Sequence, residues 1–151
     1  MAVDPRLFAH IEGTTDSELL FFLALTFGLD DEPLPALERM AGFVEATARH
    51  RDVAEPLQMT VGVSDGERLY AVRYASGQAP ANSLYVSNDA RDVRLLYPED
   101  ERFQHLSDEA RAVVSEPLGD LPGLWREVPP SSALIVQPGA GEEVAFAPRP
   151  A

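Results

Sequence analysis

The 151-residue chain contains no cysteine and no lysine: its 12 basic residues are all arginine, set against 25 aspartates and glutamates. Without cysteine there is no disulfide, no thiolate metal ligand and no thiol nucleophile within these residues. The formal net charge is -13, and no basic stripe is clustered that could displace counterions from a polyphosphate, which argues against a nucleic-acid partner. Long apolar runs are also missing. No segment reaches the roughly 18 consecutive apolar residues that span a bilayer, and the opening "MAVDPRLFAH" has neither a basic n-region nor an apolar h-region. No membrane partner and a cytoplasmic location are therefore expected.

What is present suits one ordinary domain. A hydrophobic fraction of 45% in a chain of this length can bury a substantial core, so a single domain over 1–147 is expected, with 148–151 as tail. "TDSE", Thr15 to Glu18, fits a capping box, in which the Thr15 hydroxyl accepts from the Glu18 amide and Glu18 reaches back to the cap amide. Leu19, Leu20, Phe21, Phe22, Leu23, Ala24, Leu25 and Phe27 then leave no polar face, so this helix is expected to be buried nearly all round and to stop at Gly28. A second, amphipathic helix is expected from about Leu34 to His50, with Leu37, Met40, Ala41, Val44 and Ala48 at helical spacing.

After Pro56 the period changes from helical to alternating. Strands are expected over 57–64 and 68–75, joined by a two-residue Asp65-Gly66 turn, with a third over 83–88. Residues 97–111 read as an irregular charged connection, 112–118 as a short strand, and 122–132 as a turn-rich corner with Leu124, Trp125 and Val128 as its core anchor. "ALIVQP" and "EEVAFAP" close the chain as a hairpin around Gly139 and Gly141. The fold class is α+β, two helices followed by a mainly antiparallel sheet.

Among candidate functional residues, Asp16 lies in the first turn of the first expected helix, where free amides and the helix dipole favour an anion. It either completes the helix start or holds a ligand ammonium. "GVSDG" at 62–66 matches G-x-S-x-G, and Asp92 and His105 follow in the order of a serine-hydrolase triad. That motif needs a helix after Ser64, whereas "ERLYAVRYAS" reads as a strand. His10, His50 and His105 show no ligand spacing, and the acidic clusters at 30–32 and 99–101 lack a calcium loop's pattern, so no metal and no cofactor is expected.

"GTTDSELLFFLAL", "RLYAVRYAS", "NSLYVSND", "VVSEPL" and "WREVPPSSALIV", in that order, resemble the later half of class II glutamine amidotransferases. These are N-terminal-nucleophile hydrolases, and the resemblance is greatest to their stand-alone γ-glutamyl hydrolase-like branch. It implies a four-layer αββα sandwich. It also implies an N-terminal cysteine that attacks the amide or γ-glutamyl carbonyl, an Asn-Gly pair for the oxyanion, an arginine for the substrate carboxylate, and the aspartate of the "TDSE" box for the substrate α-ammonium. Of these groups Asp16 carries over, supported by Thr15 as helix cap.

The cysteine, the arginine and the Asn-Gly pair all precede the box in that family. The fourteen residues that precede Thr15 here hold no cysteine and no Asn-Gly pair, and removal of Met1 would expose Ala2. The resemblance therefore implies the C-terminal portion of such a domain, inactive alone. The expected partners are glutamine or a γ-glutamyl small molecule, and an N-terminal partner chain or a second copy to cover apolar surface. Two other readings stay open: a non-catalytic amino-acid-binding or interaction module, and a serine hydrolase using Ser64.

Overall fold

The computed structural model describes residues 2–117, 119 and 121–151. These form two compact units, Met1–Leu57 with Ala147–Ala151, and Gln58–Phe146. The first unit holds α1 (Pro5–Phe8), α2 (Asp16–Thr26) and α3 (Pro33–Arg49). The short α1 has no counterpart in the sequence reading. It exists because Asp4 caps it, accepting from the Arg6 amide at 2.8 Å, with Pro5 preset for a first helical turn.

α2 ends where expected. Gly28 adopts φ +91°, and the Leu29 and Gly28 amides return to the Ala24 and Leu25 carbonyls at 3.1 and 3.0 Å. This is the paired closure that a left-handed residue after the last turn allows. The expectation of burial all round is not met. Leu23 and Ala24 are buried, while Leu19 and Phe21 are 48% and 46% exposed. An unbroken apolar run says which side chains could be covered, not that a surface lies over each of them.

Of the expected stripe on α3, Leu37, Met40, Ala41 and Ala48 are buried and Val44 is half-buried, with Ala36 buried beside them. The two helices are joined at the end of α2. The Phe27 and Phe43 rings meet at 5.7 Å, and Arg39 Nε and Nη2 donate to the Phe27 carbonyl at 3.1 and 2.8 Å, satisfying an acceptor that the helix end leaves open.

The second unit runs β1 (Gln58–Ser64), β2 (Leu69–Ala75), β3 (Tyr85–Ser87), α4 (Ala90–Leu96), α5 (Glu101–Gln104), β4 (Val113–Val114), β5 (Trp125–Glu127), β6 (Ser132–Gln137) and β7 (Ala140–Ala145). One sheet has the order β1-β2-β6-β7 and the other β4-β3-β5, and every pairing is antiparallel. The α+β reading therefore holds. The core of the unit joins the two sheets: Ala71 and Leu134 from the first cluster with Val86 from the second and with Leu84 and Val128 beside it. On the other face of β2, Tyr70, Val72 and Tyr74 are buried too. A strand covered on both faces is written as a nearly continuous apolar and aromatic run.

Four local expectations are corrected. The β1–β2 loop has four residues, 65–68, since Ser64 pairs with Leu69. Asp65 Oδ1 captures the Glu67 and Arg68 amides at 2.9 and 2.7 Å, so an aspartate-capped turn replaces the two-residue one. The strand expected over 83–88 shrinks to β3. α4 forms at 90–96 and α5 inside the stretch read as irregular, each begun by a capping aspartate, Asp89 and Asp100. The corner at 122–132 contributes β5, pairing with β3. Leu118, at the end of the strand expected over 112–118, lies outside the described residues. Among the described residues no helix is long and apolar enough to cross a membrane.

Candidate functional site

The start of α2 is built by two acids and a hydroxyl with distinct tasks. Thr15 is the N-cap in extended conformation, and its Oγ1 accepts from the Glu18 amide at 3.3 Å. Glu18 does not return to the Thr15 amide. Its two oxygens accept from the Glu12 and Gly13 amides at 2.9 and 2.8 Å, because the approaching chain presents two successive donors that occupy both oxygens of one carboxylate. The contact depends on Gly13, where a Cβ would lie 2.5 Å from Glu18 Oε2. The entry to the helix is thereby held by its own residues, and Asp16 is not needed to hold it.

Asp16 is the first residue of α2 and is exposed. Its Oδ1 accepts from the Ser17 amide at 2.8 Å and lies 3.4 Å from the Ser17 hydroxyl. Among the described residues no arginine or histidine pairs with it. The arrangement is a carboxylate anchored through one oxygen at a helix start, with the other oxygen free for a cation from solution. Such an oxygen can accept a hydrogen bond from any cationic donor.

Ser64 is engaged differently. Its hydroxyl donates to the Arg68 carbonyl at 3.0 Å and accepts from the Gly66 amide at 3.1 Å, closing the hairpin that leads into β2. A strand follows the serine, not the helix its motif needs. Asp92 lies in α4 and His105 caps the end of α5, both exposed. Among the described residues no group of three or more His, Cys, Asp or Glu could hold a metal ion.

Sequence reasoning missed a cavity of about 270 Å³ in the second unit, with Ser87, Val93, Phe103, Leu106, Leu124 and Trp125 among its walls. It depends on α4 and α5, whose apolar residues are too few for a periodic signal. The ion pairs nearby fasten α4 to the segment that follows α5. Asp108 pairs with Arg94 and with Arg91, and hydrogen bonds from those two guanidinium groups hold its carboxyl below the usual range. Asp89 is lowered first by the Arg91 amide it caps, with Arg111 adding to the effect.

No protein-family model and no curated protein sequence matches the chain. A solved structure does: the glutamine aminotransferase class-II domain protein from Silicibacter pomeroyi, with a TM-score of 0.79 and 33% sequence identity over 99% of this chain. The chain is similar to this glutamine aminotransferase class-II domain protein. It spans 59% of that protein's length.

Proposed function

We propose that these 151 residues are the C-terminal portion of a class II glutamine amidotransferase-like domain of the four-layer αββα type. In this reading Asp16 receives the α-ammonium of glutamine or of a γ-glutamyl group, and Thr15 holds the helix start that aims it. The observation that carries the reading is the 33% identity over 99% of the chain to a glutamine class-II domain protein. The free carboxylate oxygen at the head of α2 supports the assignment of Asp16.

The chemistry divides accordingly. The carboxylate orients the amino-acid end of the substrate, and the bond-breaking step needs a nucleophile that 151 residues without cysteine do not supply. The purified chain is expected to release no ammonia from glutamine, and enzymatic turnover by it alone would end the reading. Calorimetry with glutamine and γ-glutamyl compounds reads the binding half. A charge-assisted hydrogen bond contributes about 1.5–3 kcal/mol, so Asp16→Asn should weaken binding about tenfold or more, and binding indifferent to that change removes Asp16 from the site. The coding sequence adjoining the Met1 codon provides a further test: an in-frame or neighbouring segment beginning Met-Cys and carrying Asn-Gly is expected.

The absence of cysteine favours one second reading, a module that binds an amino acid or γ-glutamyl compound, or a protein partner, without chemistry. Glutamine binding that depends on Asp16, with no adjoining nucleophile-bearing segment, would select it.

A further inference from the structure

Glu38 lies in the middle of α3 and is 3% exposed, an unusual place for a carboxylate. What it meets is the C-terminal end of the chain. Its Oε1 accepts from the Ala147 amide at 3.1 Å, its backbone carbonyl accepts from the Arg149 amide at 3.0 Å, and its Oε2 lies 2.5 Å from Arg149 Nε. One turn further along α3, Gly42 lets the segment come in close: a Cβ there would stand 1.8 Å from the Arg149 carbonyl oxygen. The segment reads Ala147, Pro148, Arg149, Pro150, Ala151. Its prolines carry no amide hydrogen, and the two amides at 147 and 149 both end on Glu38.

We propose that the face of α3 around Glu38 and Gly42 is a binding groove for an extended Pro-Arg-Pro segment. Residues Ala147–Ala151 are its resident occupant, a clasp that opens while α3 stays folded. Proline-flanked backbone is already extended, so seating it costs little entropy. The groove supplies the three features such a segment needs: two acceptors at alternate amides, a carboxylate for the guanidinium, and a missing Cβ where the backbones cross. A cleft of about 470 Å³ has Phe43, Ala46, Arg49 and Pro148 among its walls. The clasp is held at Glu38 and Gly42, its residues are otherwise largely exposed, and local opening is expected to precede global unfolding.

Amide exchange on the full chain tests the clasp. The amides of Ala147 and Arg149 should exchange faster than those of β2 and β6. Gly42→Ala should speed them about tenfold or more by overpacking, and Glu38→Gln by about threefold through loss of the ion pair, with β2 and β6 unchanged. If both amides exchange only as fast as the sheet, or neither substitution moves them, the clasp is refuted. Should Gly42→Ala fail to fold, Glu38→Gln decides.

The groove has its own test. In Arg149→Glu the resident segment is repelled by Glu38. A millimolar peptide Phe-Ala-Pro-Arg-Pro-Ala, matching the effective concentration of a tethered segment, should then shift the α3 amide resonances, and the same peptide with glutamate for arginine should not. Equal shifts, or none, overturn the groove.

Discussion

Arg73 is the side chain on which the second unit should depend most. It stands on β2, on the face that carries Ala71, and is 7% exposed. Its Nε donates to the Asn82 carbonyl at 2.7 Å and Nη2 to the Ala81 carbonyl at 3.3 Å, while Nη1 donates to the Val128 carbonyl and to Glu127 Oε1. One guanidinium thus ties the segments that lead into β3 and out of β5 to the four-stranded sheet. Arg73→Met keeps much of the volume and removes every donor. The Val128 carbonyl belongs to a fully buried residue and loses its charged partner. Water can reach Asn82, which is exposed, and Glu127, whose side chain is 54% exposed.

Leaving the buried Val128 carbonyl without its donor costs about 1–3 kcal/mol, a substantial part of a domain's usual stability of about 5–15 kcal/mol. Lysine offers one point charge where a planar fork reaches several carbonyls, so Arg73→Lys should recover only part of the loss. Glu127→Gln removes a solvent-exposed pairing and should cost less than about 1 kcal/mol. Urea titrations followed by the fluorescence of Trp125, the single tryptophan, would give the midpoints at unchanged slope. If Arg73→Met stays within about 1 kcal/mol of the parent, or Glu127→Gln costs as much, the argument that the buried carbonyls carry the effect is wrong.

Three further outcomes follow from geometry near the helix ends. Gly28→Ala places a Cβ at φ +91° and should lower stability by about 1 kcal/mol, read as a shift in urea midpoint; no shift would mean the turn relaxes freely. Gly13→Ala crowds the Glu18 carboxylate and should loosen the start of α2, read as faster exchange at the Glu12 and Gly13 amides with the β2 amides unchanged. The folded-state pKa of Asp108 is depressed by Arg94 and Arg91, so its stabilising contribution is present above the unfolded value of about 3.9 and is lost as pH falls through the folded value. Asp108→Asn should therefore be less stable than the parent at neutral pH and equal to it in strong acid, with the carboxyl titration followed by NMR; a constant difference across that range would refute the assignment.

The sequence by itself determined the features whose causes lie within a few residues of the effect. Thr15 caps α2 because its hydroxyl is three residues from an open amide. Gly28 ends it because a left-handed residue is needed there, and the apolar spacing of Leu37, Met40 and Ala41 sets the covered side of α3. Alternation paired β1 with β2, but Asp65 took two amides and lengthened their loop, a choice between local acceptors that composition does not rank. Asp16 was legible as a carboxylate at a helix start. That Glu18 would hold the approaching chain and leave Asp16 free was decided by where residues 12 and 13 turn. Arg73, Glu38 and the cavity beside Trp125 were legible only in the tertiary structure. An arginine inside a strand or a glutamate inside a helix reads as surface until distant segments, residues 81–82 and 127–128 for one and 147–149 for the other, bring the carbonyls and amides that let it be buried. Local signals report the backbone's own hydrogen bonding, whereas the burial of a charge depends on partners that only the folded chain brings near.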